Sequence, residues 1–269
     1  MTLPAYAMDR TSFPEMYERE LVGPLFRPFV DPLLEEIRLA AGDRLLDIAS
    51  GTGIVARVAK ERLGPAGHVV GVDLSPQMLE VGKRIAPSID WREGDAMALP
   101  VAQGETFDVV TCQQGLQFVA DRAAAVREMH RVLSPRGRLA VATWRPLEEV
   151  PLFRDLNEIA VRHLGPFVDG RHAFGNASDI ERLLTGAGFR DVRVRTVSRT
   201  VRFTEPHVIV QMNAMAVVGM GTAGRTIAEE ERARLVAAIA SEGAGVVPRF
   251  ADGQGIAFEL PTNLASARV

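Results

Sequence analysis

Residues 45–56 read LLDIASGTGIVA, an apolar run that passes into a glycine turn and then into a helical pattern. Gly51 and Gly53 carry no side chain where the chain turns sharply, and a helix that starts here presents free backbone N–H groups. A strand, a glycine turn and a helix in this order are typical of an α/β fold with a ligand at the turn. The alternative is a purely structural turn.

Short apolar runs alternate with longer helical patterns from residue 44 to Trp144. The runs are nearly continuous in Val, Ile and Leu, which indicates strands covered on both faces. This alternation predicts an α/β fold with a Rossmann-like, doubly wound sheet. The predicted strands are residues 45–49, 68–73, 89–92, 107–112 and 138–144, and the helices between them are 53–63, 75–86 and 120–133.

The pattern changes after Trp144. A helix at 148–164 and a glycine-rich loop precede Ser178 and Glu181, whose spacing predicts a capping box for a helix that stops at 186–188. Residues 189–203 predict a sixth strand, with a bulge or bend where the alternation shifts phase between Val194 and Val197. Further helices are predicted at 205–219 and 227–242, the second capped by Thr226, before a last strand at 256–269.

A long excursion that carries its own helices between two strands suggests a lid laid over a site. We therefore expect N-terminal helices that cover the cofactor site (1–43) and a core (44–204 and 254–269) that includes a first lid helix and loop (148–176). Residues 205–253 are expected to form a helical lid insertion.

Composition excludes several classes of function. The 269 residues have a net charge of −3, and no polybasic run indicates binding to nucleic acid or anionic lipid. The single cysteine, Cys112, excludes an internal disulfide and a multi-thiolate metal site. No apolar stretch approaches the ~20 residues of a membrane span, and no signal-peptide core is present, so we expect a cytoplasmic protein that is not inserted into a membrane.

The charge at the glycine turn separates two ligand classes. Gly51-x-Gly53-x-x-Ala56, with Asp73 after the second strand, also fits a dinucleotide fingerprint. A carboxylate from Asp47 directed into that space would repel a pyrophosphate. S-adenosylmethionine instead carries an ammonium, a sulfonium and a ribose diol without a phosphate, so it suits Asp47 and Asp73 better.

Two later segments fall where such a ligand needs them. EGDAM (93–97) follows the third strand, so Asp95 can accept from the adenine amino group while the Ala96 N–H reaches a ring nitrogen. CQQGLQF (112–118) follows the fourth strand, at the crevice where a ligand is expected, and its carbonyls can meet the ammonium. Leu74 and Met78 are placed to sandwich the adenine, although both also fit plain helix packing.

These ordered motifs resemble class I S-adenosylmethionine-dependent methyltransferases, in particular the branch similar to the ubiquinone/menaquinone-biosynthesis and small-molecule enzymes. The resemblance runs from Tyr17 through Trp144 and continues in GAGFRDVRV (186–194). It implies a seven-stranded sheet with the last strand antiparallel, and a Tyr17 that covers the methionine end of the cofactor. Ala49-Ser50 departs from the family's usual Gly-Cys or third glycine. The full set of expected cofactor contacts is Tyr17, Asp47, Ala49, Ser50, Gly51, Gly53, Asp73, Leu74, Met78, Gly94, Asp95, Ala96, Met97, Gln113 and Gln114.

The sequence therefore predicts a bacterial methyltransferase of small-molecule biosynthesis, with an acceptor whose methylated atom stays open. In-line transfer needs a general base only if the acceptor loses a proton, and His172 and His207 are the candidates. Met212, Met215 and Met220 suit a quinone-, lipid- or polyketide-like acceptor, although they also fit a lid core. The rivals are an NAD(P)-dependent oxidoreductase and a catalytically silent binding protein with the cofactor fold. Oligomeric state stays open.

Overall fold

A computed structural model of the chain describes residues 13–220 and 228–269. They contain a seven-stranded sheet with the strand order β3-β2-β1-β4-β5-β7-β6. The strands are β1 (Arg44–Ile48), β2 (His68–Asp73), β3 (Asp90–Glu93), β4 (Phe107–Gln113), β5 (Leu133–Trp144), β6 (Arg190–Phe203) and β7 (Ile256–Arg268).

The sheet is parallel from β3 to β5, and its order reverses between β1 and β4. β7 is antiparallel to both β5 and β6. The predicted fold class, a doubly wound α/β sheet whose last strand runs antiparallel, is confirmed. Ligands in such sheets bind outside the carboxyl ends of the strands at the point of reversal, which places the site beyond Ile48 and Gln113.

Helices cover both faces of the sheet. They are α1 (Phe13–Met16), α2 (Val30–Glu36), α3 (Ile54–Leu63), α4 (Pro76–Ile85), α5 (Arg122–Arg131), α6 (Pro151–Leu164), α7 (Ala177–Gly186), α8 (Pro206–Met220) and α9 (Glu229–Gly243). Between α1 and α2 the chain stays helical, as a π-helix at Tyr17–Phe26 and a 3₁₀ turn at Arg27–Phe29. No helix of the described ranges is long and apolar enough to cross a membrane.

Two local predictions are corrected by the structure. Asn176, not Ser178, caps α7, because its side chain accepts from the Ser178 N–H. The bulge predicted between Val194 and Val197 is wrong, since pairing with β7 is regular from Arg193 to Phe203 and the register shifts only between Arg190 and Arg193. Thr226, the predicted cap of the later helix, lies outside the described residues.

The phase shift along β6 has a different cause. Val194 packs with the cluster that contains α7, whereas Val197 packs with the cluster of α2 and Val201 with that of α6 and α8. Successive strand residues point to opposite faces, so the two ends of β6 are covered on opposite sides of the sheet. A strand that pairs regularly therefore produces the sequence pattern that suggested a bulge.

The helices α6, α8 and α9 share one apolar cluster with the N-terminal helical segment and the adjoining parts of β6 and β7. Its members include Leu21 and Leu25 of the N-terminal segment, Phe153 of α6 and Ile209 of α8. This cluster brings the N-terminal segment and α8 together on the side of the sheet where the predicted site lies. The division into domains and the role of 205–253 as a lid stay predictions.

Candidate active site

The turn after β1 has the conformation that its glycines allow. Gly51 (φ +57°) and Gly53 (φ +88°) both have a left-handed backbone, and so does Ala49 (φ +54°). A Cβ on Gly51 would meet the ring of Tyr17, while a Cβ on Gly53 would lie 2.0 Å from the indole of Trp91. Gly53 thus provides space for a core tryptophan, and Gly51 is the glycine that faces the predicted site.

Asp47 lies beneath this turn, fully buried. Its Oδ1 accepts from the Thr111 hydroxyl at 2.8 Å, and its Oδ2 accepts from the Ala56 N–H of α3 at 3.2 Å. Burial raises the pKa of this carboxyl to about 7. In this arrangement the carboxyl fastens α3 to the ends of β1 and β4, so any contact with a ligand ammonium would be an additional role.

Asp73 at the end of β2 is bound to the glycine turn. Its Oδ2 accepts from the Gly51 N–H at 2.7 Å and its Oδ1 from the Ser75 N–H at 2.9 Å. The backbone donor that a dinucleotide site would offer to phosphate is therefore already bound to a carboxylate. These backbone bonds leave part of the acceptor capacity of the Asp73 carboxylate for a diol.

The segments expected around an adenine lie beside Asp73. Leu74 is 69% exposed, although it is a large apolar residue, and Met78 is half-buried. The side chain of Asp95 stabilises the turn in its own loop, since Oδ1 accepts from the Met97 N–H at 2.8 Å. Gly94 is held to the Asp73 carbonyl through its N–H, and a Cβ on it would overlap Pro100, so this glycine serves loop packing.

A cavity of about 310 Å³ opens at the carboxyl ends of β1 and β4. The sequence-predicted residues Tyr17, Ala49, Gln113, Gln114 and His172 lie together in its wall. The rest of the wall is mainly apolar and aromatic: Phe13, Leu21, Leu25, Phe26, Phe118, Trp144, Phe153, Arg171, Ile209, Met212, Asn213 and Ala216.

Four buried polar atoms of this wall have no hydrogen-bond partner: Gln113 Oε1, Gln114 Nε2, His172 Nε2 and Asn213 Nδ2. The side chain of Gln113 is oriented by its other end, because Nε2 donates to the Phe26 carbonyl at 3.1 Å. Buried polar atoms without partners are rare in folded proteins. Their concentration in one cavity calls for polar partners, which a bound ligand or ordered water can supply.

Comparison with known proteins identifies the family. Residues 46–141 match the model of a methyltransferase domain. The chain is 31% identical over 183 residues to a demethylmenaquinone methyltransferase of Staphylococcus aureus, an alignment that covers 61% of this chain and 75% of that protein. This chain belongs to the class I S-adenosylmethionine-dependent methyltransferases.

Solved structures show the same fold at lower sequence identity. Phosphoethanolamine N-methyltransferase 2 of Haemonchus contortus, bound to phosphomonomethylethanolamine and S-adenosylhomocysteine, has a TM-score of 0.58 at 19% identity. The comparison covers 99% of this chain and 60% of that one. An S-adenosylmethionine-dependent methyltransferase of Aquifex aeolicus has a TM-score of 0.51 at 18% identity, over 68% of this chain and 91% of that one. None of these relatives supports the oxidoreductase or silent-binding alternative.

The methyltransferase does not bring its two candidate histidines together. His172 is buried in the cavity wall, whereas His207 is 65% exposed in its side chain, lies 3.6 Å from Glu205 and lines a separate cavity. The orphaned hydroxyl of Ser50 is buried near Gly71, whose Cβ would lie 3.3 Å from it. Ser50 therefore faces β2, away from the cavity wall.

Sequence reasoning missed several residues of the methyltransferase's cavity, above all Trp144, Phe153 and Asn213. Trp144 was recognised only as the end of a strand. The position of Trp144 at the carboxyl end of β5, the strand next to β4, was a usable signal. Phe153 and Asn213 offered none, because their places depend on how α6 and α8 pack.

Proposed function

We propose that the methyltransferase transfers a methyl group from S-adenosylmethionine to a small hydrophobic acceptor bound in the 310 Å³ cavity. The observation that carries this proposal is the composition of the cavity wall, where expected cofactor contacts line the same cavity as Phe153, Ile209 and Met212. Burial of an apolar acceptor on such a wall is favourable by ~25 cal/mol per Å² of apolar surface. The sulfonium supplies an activated methyl group, so the protein mainly aligns the acceptor and excludes water.

The residues present fit this cofactor. Asp73 would accept from the ribose diol, and the exposed Leu74 with Met78 would cover the adenine. The orphaned Gln113 Oε1 is an acceptor suited to the ammonium. Tyr17, whose phenol has a pKa raised by burial and by nearby carboxylates, would close the methionine end as a neutral side chain.

Calorimetry with S-adenosylhomocysteine tests the cofactor assignment. Asp73→Ala and Asp95→Ala should each weaken binding at least tenfold, because each removes an acceptor for a ligand donor. Asp90→Ala, at the other end of β3, should bind like the wild type. Wild-type affinity in both site variants would refute these contacts, and tighter binding of NAD than of S-adenosylhomocysteine to the wild type would refute the cofactor.

Methyl-group transfer assays test the acceptor class. The relative's name refers to demethylmenaquinone, and we extend only its hydrophobic character to this chain. A panel of quinols, long-chain phenols and fatty acids should contain acceptors, whereas phosphoethanolamine and glycine should not be methylated. Methylation restricted to the two charged compounds would overturn the proposal.

A variant that fills the cavity gives a second test. Ala216→Trp places a large ring in the wall formed by α8 and should reduce turnover of a hydrophobic acceptor at least tenfold. Binding of S-adenosylhomocysteine should change less than threefold, since Ala216 is not among the expected cofactor contacts. Ala238→Trp, on the exposed face of α9, is the matched control and should retain turnover. Equal turnover by Ala216→Trp and the wild type would place the acceptor elsewhere.

A further inference from the structure

The histidine in the cavity wall has a defined protonation state. His172 Nδ1 lies 2.7 Å from the Arg145 carbonyl oxygen. Because a carbonyl only accepts, Nδ1 must carry the proton, and neutral His172 then presents the lone pair of Nε2. His172 is 6% exposed, lines the cavity and has no partner for Nε2 among the described residues.

The groups around His172 hold it neutral near pH 7. Burial is the main cause of its lowered pKa, and the adjacent Arg171 adds to it. Asp169 on the same loop and Glu148 before α6 act in the opposite direction. Asp169 is itself neutralised by Arg171, through a contact of 2.6 Å. The face from α6 contributes the uncharged ring of Phe153, 5.7 Å away.

The side-chain amide of Asn213 is a second polar group in the mainly apolar cavity wall. Asn213 of α8 is 2% exposed, and its Oδ1 accepts from the Arg171 guanidinium at 2.8 Å. This bond fixes the orientation of the amide, so that Nδ2, a donor, is the atom left without a partner. Two residues that line this cavity thus each hold one unpartnered buried atom, a basic acceptor in His172 Nε2 and a donor in Asn213 Nδ2.

A hydroxyl group matches this pair. Its proton can be donated to His172 Nε2, one oxygen lone pair can accept from Asn213 Nδ2, and a second lone pair is left to attack. A neutral amine has a single lone pair, so a hydrogen bond from Asn213 would occupy the electrons that must react. An acceptor without a polar group would leave both buried atoms unsatisfied, at a cost of about 1–3 kcal/mol each.

We propose that His172 and Asn213 bind the hydroxyl of a phenolic or enolic hydrophobic acceptor, and that His172 is the general base for O-methylation. This inference rests on the proposed methyltransferase function. In the step, the S–CH₃ bond breaks as the O–CH₃ bond forms, and the hydroxyl proton passes to Nε2. The products are a methyl ether, a neutral thioether and an imidazolium, which then releases its proton to water.

Binding of a matched pair of probes tests the hydroxyl subsite. With S-adenosylhomocysteine present, 1-naphthol should bind the wild type at least tenfold more tightly than 1-methoxynaphthalene by calorimetry. In His172→Asn, whose amide can still donate to the Arg145 carbonyl, this preference should fall below threefold. His163→Asn, at an exposed histidine paired with Glu242, should keep it. Equal binding of the two probes to the wild type, failure of 1-naphthol to bind, or an unchanged preference in His172→Asn would overturn the subsite.

Nitrogen NMR of the imidazoles tests the base directly. The His172 signals are assigned as those present in the wild type and absent from His172→Asn. At pH 7 they should report a neutral ring with Nδ1 protonated. The Nε2 resonance should shift on addition of 1-naphthol. A protonated ring, the other tautomer or an unmoved resonance would refute the general base. Failure of the wild type to bind S-adenosylhomocysteine would instead refute the proposed function. Failure of the proposed function can therefore be distinguished from failure of the His172 proposal.

Discussion

Ala49 holds a left-handed conformation (φ +54°) in a turn where the resemblance led us to expect glycine. The left-handed region costs an L-residue roughly 1–2 kcal/mol, and the extra freedom of glycine in the unfolded chain offsets part of that cost. Ala49→Gly should therefore raise the free energy of unfolding by about 0.5–1 kcal/mol in urea titration. Gly51→Ala, at φ +57° in the same turn, is the reverse control and should lower it. The Ala49 methyl packs close to Gly115, where an added Cβ would lie 2.4 Å from it. Destabilisation by Ala49→Gly would show that this packing outweighs the strain.

Asp47 makes stability depend on pH. Its pKa is about 7 in the folded chain, against roughly 3.9 for an unfolded aspartate. The folded state therefore holds a proton that the unfolded state has lost between about pH 4 and 7. The contribution of Asp47 to the free energy of unfolding is fully present below pH 4, falls as the pH rises to 7 and is absent above pH 7. The total loss is at most about 4 kcal/mol.

The measurement compares the wild type with Asp47→Asn, whose amide can accept from the Ala56 N–H and donate to the Thr111 hydroxyl. His172 titrates in both proteins, so its contribution cancels in the difference, whereas the repulsion between Asp73 and Asp47 is part of the effect that is measured. We expect the variant to gain stability relative to the wild type from pH 5 to pH 8 in urea titrations. A pH-independent difference would mean that Asp47 is ionised when the chain is folded.

At the scale of elements, three glycines leave the space that the side chain of Trp91 fills. A Cβ on Gly71 of β2 would lie 2.6 Å from the Trp91 ring, and Cβ atoms on Gly53 and on Gly82 of α4 would also meet it. Gly71→Ala should lower the free energy of unfolding by about 1–3 kcal/mol, because a close-packed core cannot take the methyl without shifting. In a Trp91→Leu background the same substitution should cost at least 1 kcal/mol less. Gly186→Ala, where nothing lies within 4 Å, is the matched control. Equal costs in both backgrounds would contradict the steric explanation.

Sequence patterns located the parallel strands well and the helix caps less well. Strands such as β2 were predicted to the residue, because burial on both faces makes them continuously apolar. The cap of α7 was misassigned, since Asn176 and Ser178 are both good capping residues and only the backbone conformation selects between them. The phase shift in β6 could not be interpreted without knowing that α7 and α2 cover opposite ends of that strand.

For the whole molecule, sequence could predict the half of the site that is built by consecutive strand–turn motifs. Asp73, Gln113 and Ala49 fall at one edge of the sheet because parallel strands place their carboxyl ends together. Gly53 was expected to approach the cofactor, and that contact stays a prediction. The structure adds that Gly53 leaves space for Trp91, a partner 38 residues away whose position only the fold determines. Asn213 was missed for the same reason, since its contact with Arg171 joins α8 to the loop before α7.

The N-terminal segment offers a test of how the molecule closes over its ligand. The π-helix Tyr17–Phe26 provides Tyr17, Leu21 and Leu25 to the cavity wall that also contains Ala49 and Gln113. It is joined to α3 by Glu18 and Arg57, whose carboxylate and guanidinium meet at 2.8 and 2.9 Å. A ligand that fills the cavity adds contacts to this segment, so its opening becomes less favourable.

Saturating S-adenosylhomocysteine should therefore slow amide hydrogen exchange at least fivefold in residues 17–26, measured by mass spectrometry. Exchange in α7, which packs on the other face of the sheet, should stay unchanged and serves as the internal control. Arg57→Met removes the ion pair, worth up to about 1 kcal/mol, and should speed exchange of residues 17–26 in the free protein severalfold. Equal exchange of residues 17–26 with and without the ligand would show that this segment does not cover the cofactor, because a closed cover must lose its opening motions when the cavity beneath it is filled.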